Sequence, residues 1–489
     1  MPRSTTRCAR SMEMTLTVPL VLSPALLAQL AERAPLYDQE NQKDRLMDYH
    51  HRAFRRTLLT GLLIVGLLAS AHAPSAAANE VLTWNETALK AVAAGGQNPV
   101  QISRTLAMVH GAIHDALNAN TRRYAAYYFE GPGDASASPD AAVAAAAHTV
   151  LVGVIPSVGT PAQKVAALAL AEDAYMASMA RGGDGVAKTR GVAVGRAAGA
   201  AMLALRQDDG AMKDVPYTPG TGPGKWRPHP NPDPPDPPVP TKELAPGYAP
   251  ALLPGWGAVT PFTLLSAAQF RLPGPPALTS EAYAQDYNRV KSLGGRANSA
   301  RTAEQTEIAR FWFEGIPAWS RIARVVATDR GLDAWDSARL LALMHLAMAD
   351  GYIAGFKVRY AYDFWRPVTA IREGDTDGND ATAGDPTWNS LQNTPAIPDY
   401  PSTMSLISGA AAPVLAGVLG TDRVSFSVTS GPPFKDITRA YTSFSQAAQE
   451  SADSRVYAGI HFPTACEDGL VLGRRIGERA VALYLQPVK

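Results

Sequence analysis

Between Asn85 and Asn118, apolar residues recur mostly three or four apart: Leu89, Val92, Leu106, Val109, Ile113 and Leu117. That period predicts amphipathic helix. Ala-rich stretches at 139–153, 161–181 and 186–206 extend the pattern, and alanine is the strongest helix former. Further helices are expected near 280–293, 302–314, 334–360, 402–420, 436–451 and 467–485. Few runs alternate with the period-two pattern of strands. The expectation is an all-α fold of two helical bundles packed together, with long Pro-rich loops.

Proline sets the expected boundary between the bundles. Residues 216–254 include Pro-Asp-Pro-Pro-Asp-Pro-Pro-Val-Pro, which neither a helix nor a central strand tolerates. The chain therefore divides into a leader (1–78), an N-terminal bundle (79–215), a Pro-rich connection and a C-terminal bundle (255–489).

Composition narrows the function. The chain has 489 residues, is 46% hydrophobic and 18% charged, and carries a net charge of +1. A disordered chain and a strongly basic nucleic-acid binder are both excluded. The only cysteines are Cys8 and Cys466, so no disulfide framework supports the fold.

The leader reads as targeting sequence. Arg55-Arg56 precede an apolar run from Leu58 to Leu68, followed by Ala71-His72-Ala73 and Ala76-Ala77-Ala78. A charged segment, a short apolar core and small residues at a cleavage site predict export by a twin-arginine-like or Sec signal, to the periplasm or beyond the cell. The competing reading is a retained membrane anchor. Met47 starts a conventional leader, so the true start is expected there.

Three segments of the C-terminal half concentrate anion-binding chemistry. The first runs from Lys357 to Arg366-Pro367. On one ideal helix Lys357 and Arg366 fall about 180° apart, so both reach one site only if the helix ends between them. Pro367 disfavours helical geometry at Arg366, which fits. The second is Pro398-Asp-Tyr-Pro-Ser-Thr-Met404, opening an apolar run. Ser402 there suits an N-cap, and a helix start offers free N–H groups to an oxyanion. The third, Ser454-Arg455 to His461, supplies a guanidinium and an imidazole. Singly, each has an ordinary structural explanation; together and in this order they are far more specific.

The triplet resembles the signature shared by vanadium-dependent haloperoxidases and type 2 phosphatidic acid phosphatases: Lys-x(6–8)-Arg-Pro, Pro-Ser-Gly-His and Ser-Arg-x(5)-His. Here these are Lys357-x8-Arg366-Pro367, Pro401-Ser402-Thr403-Met404 and Ser454-Arg455-x5-His461. The stretches Leu106–Asn118 and Ala309–Trp312 look like the bacterial haloperoxidase branch. The resemblance implies a helical, often dimeric protein holding vanadate, with phosphate fitting the same site. Lys357, Arg366 and Arg455 would neutralise equatorial oxygens, and Ser402 and the Thr403 N–H would add hydrogen bonds. His461 would be the axial ligand to vanadium, or the nucleophile toward a phosphoryl group. Hydrogen peroxide, halide and a small organic substrate are the implied partners. Alternatives are phosphate-ester hydrolysis and oxyanion binding without turnover.

One departure weighs against ordinary family chemistry. The family's acid–base histidine is Met404 here, and a thioether carries no proton. Oxyanion binding is expected to survive, with proton transfer lost or relocated. Asp363, Asp399, Tyr400 and Ser405 lie nearby in sequence as substitutes.

Three other signals carry less weight. His110 and His114 share a helix face with Asp115 beside them, but no third metal ligand is evident, so packing is the preferred reading. Asp375-Thr-Asp377-Gly-Asn379 resembles the start of a calcium loop without its later glycine and glutamate, and reads as a polar loop. Cys466 reads as a small buried residue.

Overall fold

The computed structural model describes residues 79–131, 133–181, 183, 185–229 and 250–488. The leader, its arginine pair and Met47 lie outside the described residues. Among the described residues, five helices come first: α1 (Glu80–Ala94), α2 (Pro99–Asn120), α3 (Pro139–Val154), α4 (Pro161–Arg181) and α5 (Val186–Leu205). Eight helices follow the Pro-rich connection: α6 (Glu281–Gly294), α7 (Ala303–Phe311), α8 (Ile316–Asp329), α9 (Ala334–Tyr362), α10 (Pro367–Arg372), α11 (Thr403–Leu419), α12 (Phe444–Tyr457) and α13 (Pro463–Leu483). A small antiparallel hairpin, β1 (Phe426–Thr429) with β2 (Thr438–Tyr441), sits between α11 and α12. The fold is all-α.

Local chemistry explains most helix starts. Asn98 caps α2 in a reciprocal box with Gln101, and Pro99 takes the first turn where no N–H is needed. Ser138, Ser280, Thr302, Asp333, Ser402 and Ser443 cap α3, α6, α7, α9, α11 and α12 by accepting a backbone N–H.

Two helices form the centre. Every residue of α2 from Thr105 to Asn120 is buried, as is every residue of α9 from Leu340 to Phe356. A helix buried on all faces has neighbours on all faces. Residues on both sides of the Pro-rich connection contribute to one hydrophobic core, from Trp84 and Val109 to Leu341, Leu406 and Ile476. The described parts of the connection lie on the C-terminal half. Trp226 is fully buried, its N–H bonds Asp363 O at 2.8 Å, and Leu252 N–H bonds Ala396 O at 2.9 Å.

Helices α11 and α13 approach at backbone distance. A Cβ on Gly473 would lie 2.0 Å from Leu406 O, and one on Gly409 would lie 2.5 Å from Leu470 O. Only glycine fits there. This contact fixes the start of α11 against the start of α13, where two of the anion-binding segments meet.

The structure corrects several expected elements. The helix expected at 436–451 is instead strand β2, a turn, and then α12 from Phe444. The physical reason is a tether. Arg439 and Tyr441 on β2 both bond Glu450 on α12, and Ser443 starts the helix by accepting Gln446 N–H. The helix expected at 302–314 closes at Phe311 and continues as a 3-10 turn, Trp312–Glu314. Helices α8 and α10 were not anticipated. Each begins with a proline in its first turn, which reads in sequence as a breaker.

Candidate anion-binding site

Helix α9 does end between the two basic positions. Asp363 closes it in the left-handed conformation at φ 57°, its N–H bonding Arg359 O at 2.8 Å. Arg366 follows in extended geometry and leads into Pro367 and α10. Its guanidinium is fully buried. Nε donates to Ile397 O and Nη1 to Ile460 O, both at 2.7 Å. Nη1 also lies 2.9 Å from His461 Nε2.

Lys357 is not part of this cluster. It is exposed, on the side of α9 where Gly257 packs against its backbone. The buried cation on that helix is Arg359. The two positions differ by about 200° around the axis, so only one can face the core. Arg359 Nη1 donates to Pro398 O and Nη2 to Pro401 O, both at 2.5 Å, and Nη2 reaches Thr403 Oγ1 at 3.5 Å. It thus clamps the loop that precedes α11. The spacing Arg359-x6-Arg366-Pro367 is the signal in the sequence that points to it.

The other expected residues converge. Ser402 is fully buried at the start of α11, and its N–H bonds Ala465 O of α13 at 2.8 Å. Its Oγ accepts from Ser405 Oγ at 3.0 Å. Thr403 is the first residue of α11. Arg455, on α12, is buried and donates from Nε to Ser454 Oγ at 2.9 Å. His461 lies buried in the turn joining α12 to α13, a turn made possible by Gly459 at φ 77°. Asp399 is fully buried; its Oδ1 stands 2.8 Å from His461 Nδ1 and 3.6 Å from Arg366 Nη1.

Three guanidiniums and one carboxylate therefore share a buried pocket. Burial pulls Arg366 and Arg455 down to about 10 and lowers Arg359 as well, where Arg366 adds repulsion. Burial, followed by repulsion from Arg366, Arg359 and Arg455, pushes His461 well below the usual imidazole range. The ring is neutral. Burial raises the Asp399 carboxyl against the pull of Arg366 and Arg359. Charge left unpaired in a protein interior is expensive. Yet Arg366 Nη2, Arg455 Nη2 and Arg359 Nε have no hydrogen-bond partner. The arrangement suits a multivalent anion with several acceptor oxygens.

Comparison with known proteins agrees with this chemistry. A family profile described as the VCPO second helical-bundle domain matches residues 339–489, the span that holds every group above. The vanadium chloroperoxidase of Curvularia inaequalis is 26% identical over 399 residues, covering 68% of this chain and 64% of that protein's length. The chain is thus similar to vanadium-dependent haloperoxidases, and its C-terminal part matches their second helical-bundle domain. Solved structures share the fold. A bacterial vanadium-dependent iodoperoxidase superposes with a TM-score of 0.70 at 24% identity, over 84% of this chain and 97% of its own. A bacterial vanadium-dependent chloroperoxidase, in its holo form, gives 0.64 at 18% identity, over 79% and 94%.

Met404, where the motif resemblance leads one to expect a histidine, is half-buried. A Cβ on Gly315 would lie 2.7 Å from Met404 Cε, so the thioether packs on the turn that starts α8. Of the residues weighed as substitutes, Asp363 accepts from Tyr217 OH, Tyr400 donates to Asp468 at 2.6 Å, and Ser405 donates to Ser402. Only Asp399 touches His461 among them. Cys466 is buried beside the pocket, with its thiol pushed up by burial and by Asp399.

The remaining signals are accounted for by structure. His110 stacks on His345 at 4.8 Å, and Asn85 Nδ2 bridges their Nε2 atoms at 2.9 and 3.1 Å. His114 instead meets Asp115 at 3.1 Å and Asn118. The two histidines of the motif therefore serve separate contacts. Asp375 and Asp377 are taken up by Gly384 N–H, Asn379 N–H and Thr382 Oγ1 within their own loop.

Proposed function

We propose that this chain holds vanadate in the pocket formed by Arg359, Arg366, Ser402, Thr403, Arg455 and His461, and uses hydrogen peroxide to oxidise halide there. The observation that carries this is the set of buried guanidinium donors left without partners. A tetrahedral oxyanion supplies the acceptors and the negative charge they lack. Bound vanadate supplies Lewis-acid activation of peroxide for two-electron oxidation of halide.

The protein's part is largely electrostatic. Arg366 and Arg455 offer fixed, forked donors that need no reorganisation. Ser402 and the first N–H groups of α11 face the anion at the positive end of the helix. His461, neutral and with Nε2 as acceptor, is the nitrogen available to vanadium. Arg359 contributes one donor and holds the Pro398–Pro401 loop in place. Met404 supplies no proton. General acid–base assistance is worth about 10²–10⁴-fold, so halogenation is expected to be slow for the fold. The paired arginines, short apolar run and small residues of the leader support export from the cytoplasm.

The same donors and the unprotonated Nε2 also suit a phosphate ester, with His461 as nucleophile. Bromide- and chloride-dependent dye halogenation by the purified protein, with peroxide and with or without orthovanadate, separates the readings. Vanadate-dependent turnover supports the first. Peroxide-independent hydrolysis of p-nitrophenyl phosphate, blocked by vanadate, supports the second. Tight vanadate binding with neither activity identifies an oxyanion-binding member without turnover. No vanadate binding overturns the pocket assignment.

A further inference from the structure

We infer that Asp399 is the positioning residue that sets the tautomer of His461 and aims its Nε2 at the bound oxyanion. The inference rests on the reading that His461 is the nitrogen facing that oxyanion. It starts from hydrogen-bond bookkeeping. A guanidinium has donors only. Arg366 Nη1 lies 2.9 Å from His461 Nε2 and 3.3 Å from Nδ1, so the lone pair it approaches more closely is that of Nε2. The proton of the ring then sits on Nδ1, the nitrogen turned toward a carboxylate oxygen that can accept it. That nitrogen faces Asp399 Oδ1 at 2.8 Å. The contact is close but not collinear.

Asp399 is also the counter-charge to Arg366, 3.6 Å away, and to Arg359. It is fully buried, and neither carboxylate oxygen has a well-aligned hydrogen bond elsewhere. A buried carboxylate without donors is costly. Its backbone is held independently: Asp399 N–H bonds Phe364 O at 2.8 Å, and Arg359 grips the carbonyls of Pro398 and Pro401 on either side. The clamp therefore fixes where the carboxylate stands, and the carboxylate fixes the ring. Outer partners of this kind orient a ligating imidazole and raise its basicity.

The test compares the unmodified protein, Asp399→Asn and His461→Ala. The readouts are orthovanadate affinity by calorimetry and ¹⁵N chemical shifts of histidine-labelled protein. In the unmodified protein the His461 signals should show a protonated Nδ1 and a bare Nε2; the reverse tautomer overturns the inference without any variant. Asp399→Asn should mix the tautomers and weaken orthovanadate binding about 10–100-fold. Unchanged shifts and affinity in that variant overturn the role of Asp399. His461→Ala separates the two levels. If it leaves orthovanadate affinity unchanged, the underlying assignment of His461 fails. If it weakens binding while Asp399→Asn does not, only the positioning role fails. Should Asp399→Asn not fold, the tautomer of the unmodified protein still decides.

Discussion

Arg366 Nη1 stands 2.9 Å from His461 Nε2, so a fully buried guanidinium and the imidazole nitrogen of the site meet directly. Two backbone carbonyls, Ile397 O and Ile460 O, hold the guanidinium in that position. An oxyanion bound between Arg366, Arg455 and His461 would draw on donors already fixed in place. A hydrogen bond to a charged group contributes about 1.5–3 kcal/mol. Arg455→Ala should therefore weaken orthovanadate binding by about 10–150-fold, read by calorimetry. Affinity within twofold of the unmodified protein would show that Arg455 does not face the anion.

Arg359 and Lys357 lie two residues apart on α9 and should behave oppositely. Arg359→Ala strips the buried carbonyls of Pro398 and Pro401 of their donor and leaves Asp399 with one fewer neighbouring cation. The expected loss is about 3 kcal/mol of unfolding free energy, together with weaker oxyanion binding. Arg359→Lys should restore only part of it, because an ammonium cannot span both carbonyls as a planar fork does. Lys357→Ala, on the exposed face, should stay within about 0.5 kcal/mol and leave binding intact. Urea unfolding and calorimetry on the three variants decide it. Equal effects at both positions would return Lys357 to the site.

That pair also shows what sequence alone could and could not resolve. Spacing admitted Lys357 and Arg359 alike, and residue type favoured the lysine. Burial chose the arginine, and burial depends on which face of α9 meets the Pro398–Pro401 loop. Arg366, Ser402, Arg455 and His461 were legible because each stands at a break: a pre-proline residue, a helix cap, the last turn of α12 and the turn after it. The Ala-rich helices were legible from propensity. The hairpin was not, because the Glu450 tether of Arg439 and Tyr441 is a tertiary interaction that overrides local preference. Asp399 was named among several polar neighbours of the motif. Only the fold shows that it alone among them reaches His461.

Met404 is a test of proton transfer rather than of packing. Its thioether contacts Gly315 and the hydrophobic core. Met404→Leu keeps volume and adds no titratable group, so it should cost under about 1.5 kcal/mol and leave turnover unchanged. Met404→His restores a proton carrier and should raise vanadate-dependent halogenation by about 10²-fold or more. The comparison is made on steady-state rates at equal protein and orthovanadate. A fall in turnover in Met404→Leu equal to the gain in Met404→His would tie the residue to shape rather than to acid–base chemistry.

The stacked pair His110–His345 predicts how the fold responds to acid. Both rings are fully buried, and burial lowers both below the usual imidazole range, His345 to about 3. The unfolded chain takes up a proton near pH 6.5 that the folded chain refuses until about pH 3. Below pH 6.5 the unfolded state thus binds more protons, and stability falls as pH falls. Each such histidine contributes up to about 1.4 kcal/mol per pH unit across that window. Buried Asp350 and Asp399 have raised carboxyls and oppose the trend, so the total slope is smaller than the histidines alone would give. Removing one histidine isolates its share. His345→Gln keeps a polar partner for Asn85 and does not titrate. Its unfolding free energy, plotted against pH from 6.5 to 4, should run less steeply than that of the unmodified protein by about 1.4 kcal/mol per unit. Parallel curves would mean that His345 is already protonated in the folded chain, and that the stacked pair carries a charge within the core.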